Sequence, residues 1–187
     1  MPLLRGNLHA HTTFSDGVRT PEALVAEYES RGYDFLAITD HDDHPNWVEP
    51  GYQHALKRLA PTLLLFRGIE LNFDPMAQHV GKVMGDSEVL WILNHPARYK
   101  LSVAETIERA ARIQAAGWPL AAVEVTDTGL YRPQYDTDAI PLVKIATDDA
   151  HRPPHFGRAW IEVEARRDRD AIIRAIRAGD VKLGFSG

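Results

Sequence analysis

The sequence predicts a single-domain α/β fold, a parallel sheet or barrel with crossover helices, on three observations. Short apolar runs, many of them β-branched, alternate with segments of helical periodicity, the order that builds βα units. The 187 residues are 44% hydrophobic, enough to bury one substantial core across 1–187 and short for two. Several of the apolar runs also end in histidine, aspartate or glutamate, as they do when strand ends share one functional face.

In chain order, strands are expected at 3–10 (LLRGNLHA), 34–40 (DFLAITD), 62–71 (TLLLFRGIEL), 79–85 (HVGKVMG) and 89–95 (VLWILNH). Further strands are expected at 120–126 (LAAVEVT), 142–148 (LVKIATD), 158–164 (RAWIEVE) and 181–185 (VKLGF). A helix is expected over 20–31, where Thr20 can cap, Pro21 takes the first helical position and Ala23, Leu24 and Tyr28 recur at helical spacing before Gly32. Ser102 and Glu105 mark a capping box for a helix over 102–116, and a third helix spans 168–178, ending at Gly179. Residues 42–52 and 127–140, rich in Asp, Pro and Gly, are expected to be rim loops.

Composition narrows the chemistry. There are no cysteines, so disulfides and thiolate metal sites are excluded and imidazole and carboxylate remain as ligands, a set that suits zinc, manganese or iron. No run approaches the roughly 18 apolar residues of a membrane span, and Arg5 interrupts the N-terminus without a signal peptide, so a cytoplasmic protein with no membrane partner is expected. A formal charge of −5 without a basic tract argues against gripping a long nucleic-acid stretch. Three bound divalent cations would more than offset that charge, so a phosphate substrate is compatible with it.

Ligand-type residues fall at the ends of five strands. The first run leads to His9 and His11, which alternate and so point the same way, followed by Asp16; alone, such a pair reads more readily as half-buried strand histidines. The second run leads to His41, the third to Glu70, the fifth to His95, and 142–148 to Asp149 and His151. In a parallel barrel these ends converge on one mouth. Asp40, Asp42 and Asp148 stand beside them as candidates to orient imidazoles. Glu124 has either a pocket-shaping or a structural role.

The motifs HAHTTFSDG (9–17), TDHD (39–42), GIE (68–70), NHP (94–96) and DAH (149–151) resemble, in order and spacing, those of the PHP (polymerase and histidinol phosphatase) family of metal-dependent phosphoesterases. The resemblance implies a distorted (β/α)7 barrel with a trinuclear metal site at the C-terminal face of the strands. It implies that His9, His11, Glu70 and Asp149 hold one ion, that Asp16, His41 and His151 hold a second, and that His79 and His95 hold a third, bridged by Glu70. His79, at the start of its strand, owes its assignment to the resemblance.

The chemistry so implied is hydrolysis of a phosphate ester by a metal-bound hydroxide, with three divalent ions (Mn, Fe or Zn) as cofactors and a small phosphorylated metabolite or nucleotide as substrate. Arg98 and Arg158 are candidates to grip the phosphoryl group, and His44 or His155 to protonate the leaving oxygen. Two rivals stand beside this expectation: a non-catalytic metal-binding PHP module, and an amidohydrolase-like hydrolase, which shares the early His-x-His. The Asp149–His151 pair and Asp16 favour the phosphoesterase.

Overall fold

The computed structural model describes residues 1–186. In chain order the main elements are β1 (Leu3–Asn7), α1 (Pro21–Ser30), β2 (Phe35–Ile38), α2 (Glu49–Arg58), β3 (Leu64–Phe73), β4 (Gln78–Met84), β5 (Val89–Leu93) and α3 (Val103–Ala115). They continue with β6 (Ala122–Glu124), β7 (Thr126–Asp127), β8 (Leu130–Tyr131), β9 (Val143–Ile145), β10 (Ala159–Glu164), α4 (Arg169–Ala178) and β11 (Val181–Phe185).

Among the described residues, nine strands form one sheet in the order β11-β10-β1-β2-β3-β4-β5-β6-β9. Its two edges, β11 and β9, come into contact, so the sheet curls into a nearly closed barrel. The expected α/β barrel is present, but the strand directions are mixed. β1, β2 and β3 run parallel, as do β5, β6 and β9, while β4 and β10 run antiparallel to their neighbours. Apolar alternation looks the same in either direction, which is why the reversed strands cannot be read from the sequence pattern. The reversal of β4 places its first residues, including His79, at the mouth where the parallel strands end.

Three hydrophobic clusters hold the barrel. The interior is filled by Leu4, Phe35, Phe66, Leu90, Ile92, Ile145 and Ile161 from the strands and by Ile172, Ile173 and Ile176 from α4, which plugs the lower end. Each such fully buried aliphatic side chain contributes about 1.5–3 kcal/mol. Outside, α1 and α2 cover β2 and β3 with Leu24, Tyr28, Tyr52 and Leu56, and α3 covers β5 and β6 with Ala110 and Ile113.

The helix boundaries follow their caps. Thr20 accepts from the Ala23 amide, Ser102 and Glu105 form the reciprocal capping box, and Asp168 accepts from the Ala171 amide. Gly179 ends α4 at φ 85°, a left-handed conformation that glycine adopts without Cβ strain. Helix α2 departs from expectation, since it begins inside the 42–52 segment read as a loop. Pro50, which reads as a breaker, sits in the first turn, where its missing N–H costs nothing. The 127–140 segment likewise contains the small β7–β8 hairpin. No helix among the described residues is long and apolar enough to cross a membrane.

Candidate metal centre

At the upper mouth, β1 continues through a bridge between Ala10 and Ala150, and His41 bridges Glu70. These pairings bring strand ends far apart in sequence into register. The His11–Gly17 loop is fastened by buried Asp40, which accepts from the Thr12 amide (2.7 Å), the Thr12 hydroxyl (2.7 Å) and the Ser15 hydroxyl (2.5 Å). Gly17 is required there, since a Cβ would lie 2.2 Å from the His11 carbonyl oxygen. Asp148 accepts from the Tyr28 hydroxyl and from the Gly157 and Ala159 amides, all at 2.7 Å, so it anchors the loop after Asp149. Burial raises its pKa to about 6. Asp40 and Asp148 thus position backbone where the sequence suggested imidazole partners.

The orienting carboxylate is Glu124. The His9 Nδ1–H donates to Glu124 Oε1 (2.7 Å), and the other oxygen accepts from the His95 amide (2.7 Å). On His11, Nδ1–H faces the Ser15 hydroxyl at 3.4 Å. The Nε2 atoms of His9 and His11 face each other across 3.0 Å. Glu70 Oε2 lies 3.3 and 3.4 Å from these two nitrogens, and Asp149 Oδ1 lies 3.4 and 3.3 Å from them. Ligands about 2.0–2.1 Å from a tetrahedral ion stand about 3.3 Å from one another, so the spacing of this donor set fits a cation.

Glu70 is shared further. Its Oε2 lies 3.3 Å from His41 Nδ1, and its Oε1 lies 3.3 Å from His79 Nδ1 and 3.0 Å from His95 Nε2. Asp16 adds a carboxylate on the solvent side, 3.2 Å from His151 Nε2 and 3.8 Å from His41 Nε2. Among the described residues, four groups of donors lie close enough to hold ions: His11, Asp16, His41 and His151; His9, His11, Glu70 and Asp149; His9, His95 and Glu124; and His41, Glu70 and His79. All nine residues expected as ligands meet here.

Charge and burial conflict in this cluster. Glu70 Oε2, both Asp149 carboxylate oxygens, and the Nδ1 atoms of His79 and His95 are buried without a hydrogen-bond partner. Such groups are costly unless something else satisfies them. Burial opposes ionisation of Glu70 and Asp149, yet the neighbouring His9 imidazole holds both carboxyls well below their usual range. Burial likewise disfavours a charged His9, but Glu124, Glu70 and Asp149 raise its pKa well above 6.5. His41, with less compensation, is pushed down by burial to about 4. His95 and Asp149 adopt left-handed backbone conformations, φ 26° and 44°, a strain that persists only where the surroundings impose it.

The remaining candidates separate. Arg98 reaches the cluster, its guanidinium 3.7 Å from Asp149 Oδ2. Arg158 instead donates to the Thr128 carbonyl (3.1 Å) and ties down the β7–β8 hairpin. His155 is buried behind His151, with Nδ1 3.4 Å from the His151 amide, and burial followed by the Arg158 charge lowers its pKa. His44 lies in the loop after His41 and accepts from the Asn46 amide at 3.2 Å. Two residues without an assigned role in the sequence reading also touch the ligand set: Asn94 donates to Glu70 Oε1 (2.7 Å), and the Tyr99 hydroxyl accepts from the His79 amide (3.0 Å).

This architecture defines an α/β barrel with a histidine and carboxylate metal-ligand cluster at its mouth. The chain belongs to the PHP family, whose domain matches residues 7–148, and a PHP-associated segment matches 142–181. The 5'-3' exoribonuclease Rnm of Salmonella typhimurium is 32% identical over 108 residues, covering 57% of this chain and 34% of the relative. A 5'-3' exoribonuclease of Haemophilus influenzae is 24% identical over 190 residues, covering 95% of this chain and 66% of its own length. The chain therefore spans only part of the length of these curated relatives. Among solved structures, a two-domain Bacteroides vulgatus protein containing a predicted PHP-like metal-dependent phosphoesterase superposes with a TM-score of 0.77 at 19% identity, covering 98% of this chain and 65% of that one. At that identity the likeness establishes the shared fold.

Proposed function

We propose that the protein is a metal-dependent phosphoesterase acting on the phosphate ester of a nucleotide or the end of a short RNA. The observation that carries this reading is the set of buried, unpartnered carboxylate oxygens on Glu70 and Asp149, surrounded by imidazole nitrogens at ion-ligand spacing. His9, His11, Glu70 and Asp149 would hold one divalent ion, Asp16, His41 and His151 a second, and Glu70, His79 and His95 a third. Bound ions of this kind supply Lewis acidity and an activated water for attack at phosphorus.

The chain's own residues prepare the rest. Glu124 fixes the His9 tautomer, so that Nε2 faces the cluster. Arg98 stands where a guanidinium can orient a phosphoryl oxygen and offset charge that builds in the transition state. His44 is the candidate proton donor to the leaving oxygen, whereas His155 braces His151 from behind. The exoribonuclease relatives support the nucleotide reading, and an enzyme that grips a strand only by its end needs no extended basic tract. Residues 1–187 act as one domain in this reading, since β9, β10, α4 and β11 complete the same barrel that the PHP match begins.

The test is hydrolysis of p-nitrophenyl phosphate, bis(p-nitrophenyl) phosphate and a 5'-phosphorylated oligoribonucleotide by manganese-loaded protein, with His151→Ala as the control. Release of product that disappears in the control supports the proposal. Tight metal binding with no hydrolysis of any ester assigns the protein to the non-catalytic PHP modules instead.

A further inference from the structure

We infer that a pocket beside the metal-ligand cluster, walled by Lys100 and Arg132, is a second anion subsite that takes the phosphodiester next to the scissile bond of an RNA strand. The inference rests on the function proposed above and extends it to the part of the substrate that does not react.

The pocket is an open, shallow one of about 420 Å³, lined by Ala97, Lys100, Asp127, Arg132, Gln134 and Tyr135, among others. One wall is the turn that leaves the cluster. His95 begins it, the Arg98 amide donates to the His95 carbonyl (3.0 Å), and the Lys100 amide donates to the Ala97 carbonyl (2.9 Å). Lys100 is held there at φ 54°, a conformation uncommon for a long side chain. The other wall is the end of the β7–β8 hairpin, where the Arg132 amide donates to the Val125 carbonyl (2.8 Å). The Tyr135 hydroxyl donates to the Leu101 carbonyl (2.6 Å) and staples the two walls together. The width of the pocket is therefore set by the fold.

Its chemistry calls for an anion. Arg132 has one carboxylate neighbour, Asp127 Oδ2 at 3.6 Å, and its Nε is buried without a partner. A guanidinium carries five donors, so most of its capacity is unspent. Lys100 adds an exposed ammonium on the facing wall. Arg98, 3.7 Å from Asp149 Oδ2, stands in the same turn two residues before Lys100, so the turn that leaves the cluster carries one cation at the cluster and the next at the pocket, where Arg132 lines the other wall. A strand whose terminal phosphate enters the cluster would meet the next phosphate with Lys100 and Arg132. Contacts of this kind set register without reading base identity.

The experiment compares wild-type protein with a Lys100→Gln, Arg132→Gln double variant, both manganese-loaded, on a 5'-phosphorylated trinucleotide and on bis(p-nitrophenyl) phosphate, which has a single phosphate. The double variant is expected to lose at least about tenfold more kcat/KM on the RNA than on the small diester, mostly in KM. Its salt dependence on RNA should flatten, with a log–log slope smaller by roughly 0.7 per lost contact. Equal losses on both substrates, or no loss on RNA, would overturn the subsite. Binding of a fluorescein-labelled trinucleotide by anisotropy gives the same comparison without turnover. If wild-type protein hydrolyses neither substrate, the proposed function fails while the anisotropy difference still decides the subsite, and unchanged affinity in the variant overturns it.

Discussion

At the lower end of the barrel, Asp170 accepts from the Asp86, Ser87 and Glu88 amides, Arg169 pairs with Asp86, and Arg174 and Arg177 pair with Glu88. At the upper mouth, Glu70 and Asp149 are buried among imidazoles with oxygens that no hydrogen bond reaches. Both ends bring acids and bases together. The lower end closes its loops with exposed pairs that satisfy one another, above an apolar plug. The upper end buries carboxylates beyond what its own donors can satisfy and holds two of its residues in left-handed conformations. A fold that stabilises one mouth and leaves charge unsatisfied at the other reserves the second for cations.

The comparison can be broken most directly at Glu70. Its carboxylate approaches His9, His11, His41, His79 and His95, so Glu70→Gln should lower hydrolysis by about three orders of magnitude or more. Manganese should raise the melting temperature of wild-type protein, with about 4 kcal/mol of stabilisation at a thousand times Kd, and raise that of the variant far less. A variant that kept both activity and metal stabilisation would refute the reserved-mouth reading. Next in size, Ile173→Ala in the plug should cost about 2–5 kcal/mol in urea denaturation while kcat/KM per folded molecule holds. Loss of activity beyond the unfolded fraction would show that the two ends are coupled.

Smaller effects sharpen the contrast. Glu124→Gln weakens the hold on the His9 ring and should reduce metal affinity about 10–100-fold, measured by competition with a chromophoric chelator. Unchanged affinity would assign Glu124 to its contacts with the His95 amide and the Thr147 hydroxyl. Arg174→Ala at the lower end should shift stability by less than about 1 kcal/mol, an effect that fades in high salt. A larger shift in thermal melts would mean that the lower pairs hold the plug more firmly than exposed ion pairs do.

Much of the upper mouth was legible in the sequence because strand ends and ligand types coincide there. His9, His11, His41, Glu70, His95, Asp149 and His151 each follow an apolar run, and the order of their motifs supplied what spacing alone could not. His79 was hard to place because its strand is reversed, and apolar alternation carries no direction. Glu124 was visible as a carboxylate inside the apolar run AAVEV, but its partners, His9 and His95, are set by tertiary packing. The start of helix α2 was obscured by Pro50 and Gly51, residues that serve a helix start as well as a loop. The Lys100 and Arg132 pocket left no local signature, since its walls come from separate connections that meet only once β5 and β6 are paired.

Pairing between Leu3 and Glu164 gives the fold a timetable. While the protein is being synthesised, β1 lacks one of its two neighbours until residue 164 has emerged from the ribosome, and His9 and His11 wait nearly as long for Asp149. Contacts so distant along the chain form late. An N-terminal His-x-His on a nascent peptide would take whichever ion binds imidazole most strongly. Because the donor set is complete only in the closed barrel, selection among ions would rest with the finished cavity.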